Sequence, residues 1–188
     1  GNGRTARLVE FLILARSGKV PIPAAHLLSN HYNLTRDRYY RELDKASRSG
    51  GDITGFITYA VEGFVDGIRS QIDEVRGQQL LVAWVNFIHE VMSRFPTGKA
   101  SDRQRELVLA MPLDRVVSRT ELTGLTPSLA HQYAQAGPRT LARDLNRLAG
   151  AGLITRVGRN NFGSSIHRMS AFLPPMAPRD NEDHFDEA

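Results

Sequence analysis

The sequence has no cysteine and a single tryptophan among its 188 residues. The absence of cysteine excludes disulfides, thiol catalysis and cysteine-based metal sites, and it favours the reducing cytoplasm as the location. The sequence also lacks an apolar run of 18 residues, so no membrane span is predicted. No basic and apolar signal peptide opens it. What is present is a hydrophobic fraction of 41%, which is enough to build a packed core.

Charge is distributed unevenly along the chain, whose formal net charge is +4. The segment from Lys99 to Leu173 holds eleven basic and five acidic residues, a net charge of +6. The tail from Pro174 onward holds one arginine and five acids, a net charge of −4. A basic segment indicates a polyanionic partner, although the same charge also promotes solubility. The tail has no apolar periodicity, and we expect it to be mobile.

The opening residues predict an anion site at the start of a helix. Asn2 is a typical helix-capping residue, and its flanking glycines, Gly1 and Gly3, allow a ligand to approach the backbone closely. The free N–H groups of a first helical turn attract anions. Arg4 and Arg7 lie three residues apart, so both project from the same side of that turn. An ordinary capped helix is the alternative interpretation.

The residues that follow predict a buried core helix. From Leu8 to Ala15 the only polar residue is Glu10, and a helix that is apolar nearly all round is normally buried. We expect this helix to end near Ser17, because Gly18 is a typical residue just after a helix C-terminus.

The heptapeptide Gly1-Asn2-Gly3-Arg4-Thr5-Ala6-Arg7 resembles the second half of the signature of Fic domains, H-P-F-x-D/E-G-N-G-R-x-x-R. The resemblance extends over the next ~70 residues, through Tyr39-Tyr40-x-x-Leu43 and Asp52-Ile53-Thr54. It implies a protein adenylyltransferase, which moves AMP from ATP, with Mg²⁺, to a hydroxyl side chain of a target protein. It also implies the nucleotide-binding residues: Gly1, Asn2, Gly3, Arg4 and Arg7 at the phosphates, and Tyr40 and Ser47 near the adenine.

The sequence departs from the Fic pattern in one respect. The catalytic histidine and the magnesium-holding acid of the family precede the motif, whereas this sequence begins at its first glycine. We therefore expect a C-terminal fragment that is inactive by itself and that contains no metal site. His26 and His31, five residues apart without a nearby acid or cysteine, are a poor metal-binding pair. We also expect the uncovered core helix to promote self-association, with a homodimer as one possible form.

A long helix is predicted from the apolar spacing between Phe56 and Val75, and Gly77 is predicted to end it. A second helix, Leu80 to Phe95, then closes the first domain, bridges to the next domain or pairs with its copy in a dimer. Residues 58–63 read T-x-x-x-E-G and resemble the autoinhibitory motif of Fic proteins, in which Glu62 would pair with Arg7. The simpler interpretation is that Glu62 is solvated.

The segment after Ser101 predicts a different module. Ser118 to Glu121 form a capping box, and Thr126-Pro127 and Gly137-Pro138 each open a further helix. Two β-strands, 153–157 and 166–169, follow the last of these helices. This order resembles a winged helix-turn-helix of bacterial regulators, which implies contact with duplex DNA or with a protein. The residues expected to contact DNA are Arg139, Arg143, Asn146 and Arg147 on the last helix and Arg159 at the tip of the hairpin.

The predicted fold class is mainly α, with a helical Fic-type bundle, incomplete at its N-terminus, and a small winged-helix α+β domain. The predicted segments are 1–76 for the Fic part, 77–97 for a linking helix, 98–173 for the winged helix and 174–188 for the acidic tail. The predicted function is a fragment of an adenylyltransferase with a module that binds nucleic acid or protein. The alternative is a non-enzymatic DNA-binding transcription regulator with a degenerate or regulatory Fic part.

Overall fold

The computed structural model describes residues 2–137 and 139–173. Gly1, Pro138 and the acidic tail, 174–188, were part of the predictions and lie outside the described residues. The structure is mainly helical with one small antiparallel sheet, which confirms the mainly α class. The chain divides into two compact units, Gly1–Val75 and Arg76–Ala188.

The first unit consists of helices. They are α1 (Gly3–Arg16), α2 (Ile22–Ala25), α3 (Leu27–Leu34), α4 (Arg36–Arg48) and the first part of α5 (Thr54–Ser93). Helix α1 ends where the sequence predicted. The Ser17 N–H donates to the Ile13 and Leu14 carbonyls, and Gly18 follows with a φ of +68°. The start of α5 is fixed by the Asp52 carboxylate, which accepts a hydrogen bond from the Thr54 N–H.

An aromatic cluster forms the core of the first unit. Tyr32 on α3 and Tyr59 on α5 are almost fully buried, with ring centroids 6.0 Å apart. The ring of His31 packs against Tyr59 at a centroid distance of 4.7 Å and lies directly on the backbone of Gly63. Because glycine has no side chain at this position, α3 and α5 approach each other closely.

The prediction that α1 is buried nearly all round is wrong. None of its residues, all of which are described, is buried, and Leu8 and Ile13 are 57% and 65% exposed. The reason is that α1 packs mainly against α2 and α3, which lie on its Phe11 and Leu14 side and leave the opposite side uncovered.

The prediction that Gly77 ends a helix is also wrong. Helix α5 runs without interruption from Thr54 to Ser93. A single glycine disfavours a helix by only about 1 kcal/mol, and the apolar contacts of Trp84, Ile88 and Met92 in the second unit's core outweigh that penalty. The segment predicted as a linking helix thus contributes core residues to the second unit.

The second unit combines short helices with a three-stranded sheet. In addition to the end of α5, its elements are α6 (Lys99–Ala110), β1 (Val117–Ser118), α7 (Arg119–Leu122), α8 (Pro127–Gln135), α9 (Thr140–Gly150), β2 (Ile154–Val157), β3 (Asn161–Ser164) and a 3-10 helix (Ile166–Phe172). The strand order is β1-β3-β2, and both pairings are antiparallel. Two helix starts are as predicted: Ser118 Oγ accepts from the Glu121 N–H, and Thr126 Oγ1 accepts from the Leu129 N–H.

The predicted second strand of the hairpin is wrong. Residues 166–169 belong to the 3-10 helix, and the strand that pairs with β2 is β3, which lies between the two predicted strands. Val157 pairs with Asn161, so the turn between them has only three residues, and Gly158 adopts a φ of +67° that suits glycine. Because the turn is this short, β3 begins earlier in the sequence than the strand that the apolar pattern predicted.

Apolar side chains from every helix of the second unit meet in one core. Leu107, Leu122, Leu129, Leu148 and Leu153 are fully buried there. Across the described part of the chain, no helix is both long enough and apolar enough to cross a membrane.

Candidate functional site

The first candidate site is the N-terminus of α1. Asn2 occupies the capping position, but its side chain makes no capping hydrogen bond. The first helical hydrogen bond runs from the Ala6 N–H to the Asn2 carbonyl over 2.9 Å. The amides of Gly3, Arg4 and Thr5 therefore belong to the group that a helix leaves without partners within itself. Such a turn favours an anion through its N–H groups and the positive end of the helix dipole.

The two arginines of the motif differ in their surroundings. Arg7 is partly buried, and its Nη1 donates a hydrogen bond of 3.1 Å to Asn33 Oδ1 on α3. Arg4 is exposed and makes no ion pair or hydrogen bond with the residues that the structure describes. One guanidinium is thus positioned by a neighbouring helix, and the other is available in solvent next to the free amides.

Both residues predicted to lie near the adenine are exposed on α4. Tyr40 is 56% exposed and Ser47 is also exposed. They are seven residues apart, so they share one face of the helix. Tyr40 packs edge-on against Tyr39, and the guanidinium of Arg36 lies 5.9 Å from the centre of its ring.

Glu62 lies on the solvent side of α5. Its carboxylate pairs with Arg38 at 3.4 Å, and both side chains are at least half exposed. The glutamate of the T-x-x-x-E-G segment is therefore a solvated residue with an arginine of α4 as its partner, whereas the autoinhibitory interpretation pairs it with Arg7.

The second candidate site is the outer face of α9. Leu145 and Leu148 are buried in the core, while Arg143 and Asn146 point away from it and are exposed. Arg139 precedes the first turn of the helix and is exposed as well. An amphipathic helix of this kind presents cationic and amide donors along one side.

A buried polar network that was not predicted from the sequence holds α9 in place. Asp144 is 2% exposed, and its carboxylate accepts hydrogen bonds from Arg103 Nε at 2.8 Å and Gln104 Nε2 at 2.6 Å on α6. It also accepts one of 3.1 Å from the Tyr133 hydroxyl on α8. The Asp144 carboxylate raises the pKa of Arg103, and burial together with that carboxylate raises the pKa of Tyr133. The network therefore fixes α9 to two helices while its arginines stay in solvent.

A second carboxylate fixes α8 to α6. Glu106 accepts hydrogen bonds from Thr126 Oγ1 at 2.7 Å, Ser128 Oγ at 2.9 Å and Gln132 Nε2 at 2.8 Å. These donors hold the pKa of Glu106 below its ordinary value. Because Thr126 at the N-cap and two donors of α8 converge on one residue, the first turns of that helix have a defined position.

Arg147 and Arg159, both predicted to contact DNA, lie in different environments. The guanidinium of Arg147 stacks over the ring of Phe95, with its Cζ 4.2 Å from the ring centre. Arg159 lies in the exposed three-residue turn between β2 and β3. Arg147 thus serves as a packing residue in this structure, and Arg159 is exposed at the end of the hairpin.

The described residues contain no group of three or more histidine, cysteine, aspartate or glutamate side chains that could hold a metal ion. No protein-family model matches the chain. No curated protein and no solved structure is significantly similar to it. The sites defined above therefore have to be interpreted from their own chemistry.

Proposed function

We propose that the second unit is a winged-helix module that binds duplex DNA with α9 in the major groove. The observation that carries this proposal is the outer face of α9, where Arg139, Arg143 and Asn146 are exposed on a helix fixed from behind by Asp144. The order of helices followed by a hairpin, with β1 pairing to β3, is consistent with this class of module.

The side chains on this face have the donor patterns that base edges require. An arginine such as Arg143 pairs in a bidentate manner with guanine, and Asn146 can do so with adenine. Arg159 on the hairpin turn is suited to a phosphate or to the minor groove. In this proposal, the packed Arg147 supports the helix instead of reading bases.

Fluorescence anisotropy with a pool of labelled duplexes, at two salt concentrations, tests this function. We expect measurable affinity that falls steeply as salt rises, because phosphate contacts release counterions. Arg143→Ala is expected to weaken binding to the preferred duplexes by about 1–3 kcal/mol. Arg48→Ala, which removes an exposed arginine of α4 in the first unit, is the matched control and is expected to change little. Unchanged binding by Arg143→Ala would exclude α9 as the DNA-contacting helix.

We further propose that the first unit is the C-terminal part of a Fic-type adenylyltransferase core. The supporting observation is that Asn2 of the G-N-G-R-x-x-R segment caps α1 and that Gly3, Arg4 and Thr5 form its first turn, where free amides and Arg4 lie together. Arg4 and Arg7 would hold the outer phosphates of ATP, and the amides would stabilise charge as a target hydroxyl attacks the α-phosphate in line.

In this proposal the described residues would bind phosphate, but they include neither the general base nor the magnesium ligand of the family. In the Fic family both groups precede the motif, and the described residues hold no metal-binding cluster. The described residues by themselves are therefore expected to show no AMP transfer. The competing function is a DNA-binding regulator in which this unit has no catalytic role.

Nucleotide binding distinguishes these two functions. Isothermal titration with ATP is expected to show weak binding that Arg4→Ala and Arg7→Ala both reduce, while the exposed Arg16→Ala on the same helix leaves it unchanged. If ATP does not bind, or if Arg16→Ala has the same effect as Arg4→Ala, the regulator is the better description. A gene that encodes H-P-F-x-D/E directly before Gly1 would favour the enzyme, and one with a substituted histidine would favour the regulator.

A further inference from the structure

His31 of α3 lies where α3 and α5 approach each other closely in the first unit. The Nε2 edge of its ring contacts Gly63, in the space that a side chain at that position would fill. The ring also packs against Tyr59 at a centroid distance of 4.7 Å. Its Nε2 is shielded from water and has no hydrogen-bond partner among the described residues. A proton on this nitrogen would therefore be a buried donor without an acceptor, which is unfavourable.

The same histidine borders an open cleft of about 430 Å³ between α3 and α5. Asp66 lines this cleft too, and it lies three residues after Gly63, about one turn further along α5. Its side chain is 76% exposed and contacts Arg69 at 3.6 Å. The cleft thus offers the ring space away from Gly63, where a protonated imidazole would have both water and a carboxylate near it.

Charged and titratable groups face His31 from the elements packed around it. They are Tyr32 on α3 itself, Arg38 on α4, Tyr59, Glu62 and Asp66 on α5, and His26 and Glu74 along the cleft. Burial and then Arg38 lower the pKa of His31 below 6.5, against smaller opposite effects of Asp66 and Glu62. Because the unfolded chain binds this proton more readily, the packed state loses stability as pH falls below 6.5.

We propose that His31 is a pH-sensitive switch that determines how closely α3 packs on α5. The neutral ring stays against Gly63 and holds the two helices together. The protonated ring leaves Gly63, turns into the cleft and pairs with Asp66, which loosens the contact between the helices. Glu62 is already paired with Arg38 at 3.4 Å, so Asp66 is the better placed carboxylate for this state.

The switch also affects α1, because α3 carries the partners of two side chains of that helix. Tyr32 donates a hydrogen bond to Glu10, and Asn33 accepts one from Arg7. Movement of α3 is therefore expected to weaken both bonds and, with them, the fixed position of the Arg7 guanidinium. The switch itself does not depend on whether that guanidinium binds phosphate.

Nuclear magnetic resonance of the full chain, with labelled histidine rings and backbone amides, tests the switch in a titration from about pH 8 to about pH 5. The ring signal that is lost in His31→Phe identifies His31. We expect its pKa to lie below 6.5 and the amide signal of Gly63 to change with the same midpoint. The near-ultraviolet circular dichroism of the tyrosines is expected to follow, since Tyr59 packs on the ring. The fluorescence of Trp84, in the second unit, is expected to stay constant.

Three variants separate the parts of the switch. His31→Phe keeps a ring that cannot be protonated and is expected to abolish the change in the tyrosine signal. Asp66→Asn is expected to move the midpoint to lower pH, because it removes the charge that stabilises the protonated ring. His26→Gln is the matched control: it removes an exposed histidine of the same cleft and is expected to leave the wild-type response unchanged.

Several outcomes contradict the switch. The proposal is overturned if His31 titrates at or above 6.5, if Gly63 does not respond to that titration or if the tyrosine change persists in His31→Phe. An unchanged midpoint in Asp66→Asn would exclude the open state paired with Asp66 and overturn it as well. A simultaneous change in Trp84 fluorescence would show general unfolding in place of a local movement. If His31→Phe does not fold, the titrations of the wild type and of Asp66→Asn decide.

Discussion

The carboxylate of Asp144 accepts a hydrogen bond of 2.8 Å from Arg103 Nε, in a position where both side chains are nearly withdrawn from water. The pair joins α9 to α6, directly behind the face on which Arg143 is exposed. In a low-dielectric setting, removal of one partner leaves the other charge without compensation. The pair therefore contributes to the stability of the second unit and positions its candidate DNA-binding face.

Replacement of Asp144 by alanine is expected to destabilise the second unit by about 3–5 kcal/mol, because Arg103 is left charged and unpaired. Urea unfolding followed by the fluorescence of Trp84, which is buried in the core of this unit, measures the effect. Asp102→Ala removes an exposed carboxylate that lies 3.9 Å from Arg105, and it is expected to change stability by less than about 1 kcal/mol. A small effect of Asp144→Ala would show that the network contributes little.

The contributions of Glu10 and Glu106 to folding stability are expected to change with pH in opposite directions. Burial raises the pKa of Glu10, so its ionised form destabilises the first unit at neutral pH, and the unit gains stability as pH falls through the raised pKa. Glu10→Gln is therefore expected to raise the unfolding midpoint at pH 7 and to have no such effect below the ordinary pKa of 4.5. The near-ultraviolet circular dichroism of the tyrosines reports this unit, which contains four of the five.

Glu106 is expected to behave in the opposite way because its hydrogen-bond donors lower its pKa. Its contribution is fully present above the ordinary value of 4.5 and is lost as pH falls through the lower pKa of the folded state. Glu106→Gln is expected to lower the urea midpoint of the second unit at pH 7 and to match the wild type at the acid end of the range. A variant that differs equally from wild type at every pH would contradict a role for the charge.

Local signals in the sequence predicted much of the second unit. Ser118 and Thr126 cap their helices as expected, since their hydroxyls need only the N–H groups three residues ahead. The network at Asp144 had a weaker signal, namely an acid three residues after Leu141 and four before Leu148, on the apolar side of α9. Its partners on α6 and α8 lie up to 41 positions away in sequence, and no local pattern identifies them.

The wrong predictions concern segments whose burial or pairing depends on the elements packed beside them more than on their own sequence. The apolar character of α1 predicted burial, but burial depends on which elements lie beside the helix, and Leu8 and Ile13 have few. The strand at Asn161–Ser164 lacks a strong alternation of apolar residues, and its pairing with β2 follows from the short turn at Gly158. Whether the residues at the α1 N-terminus and on α9 bind phosphates and DNA stays a prediction.

Arg147 and Arg143 are expected to separate packing from DNA binding. The guanidinium of Arg147 stacks on Phe95, so Arg147→Ala is expected to destabilise the second unit by about 0.5–1 kcal/mol. Arg143→Ala removes an exposed side chain and is expected to leave stability within about 0.5 kcal/mol while it weakens DNA binding. Trp84 fluorescence and DNA anisotropy on the same two variants check this. If Arg147→Ala weakens DNA binding as strongly as Arg143→Ala, Arg147 also contacts DNA.

Two glycines of α5 are expected to respond oppositely to the same substitution. A Cβ at Gly63 would overlap three atoms of the His31 ring, so Gly63→Ala has to displace that ring or α3 and is expected to destabilise the first unit by about 1–3 kcal/mol. A Cβ at Gly77 meets no described atom within 4 Å, and Gly77→Ala is expected to stabilise the helix by about 1 kcal/mol. The tyrosine signal reports the first substitution, and Trp84 fluorescence reports the second.

The double variant Gly63→Ala with His31→Ala is expected to regain part of the lost stability, since it removes the ring that the new methyl group meets. A Gly63→Ala protein as stable as the wild type would show that α3 and α5 do not pack as closely as His31 and Gly63 indicate.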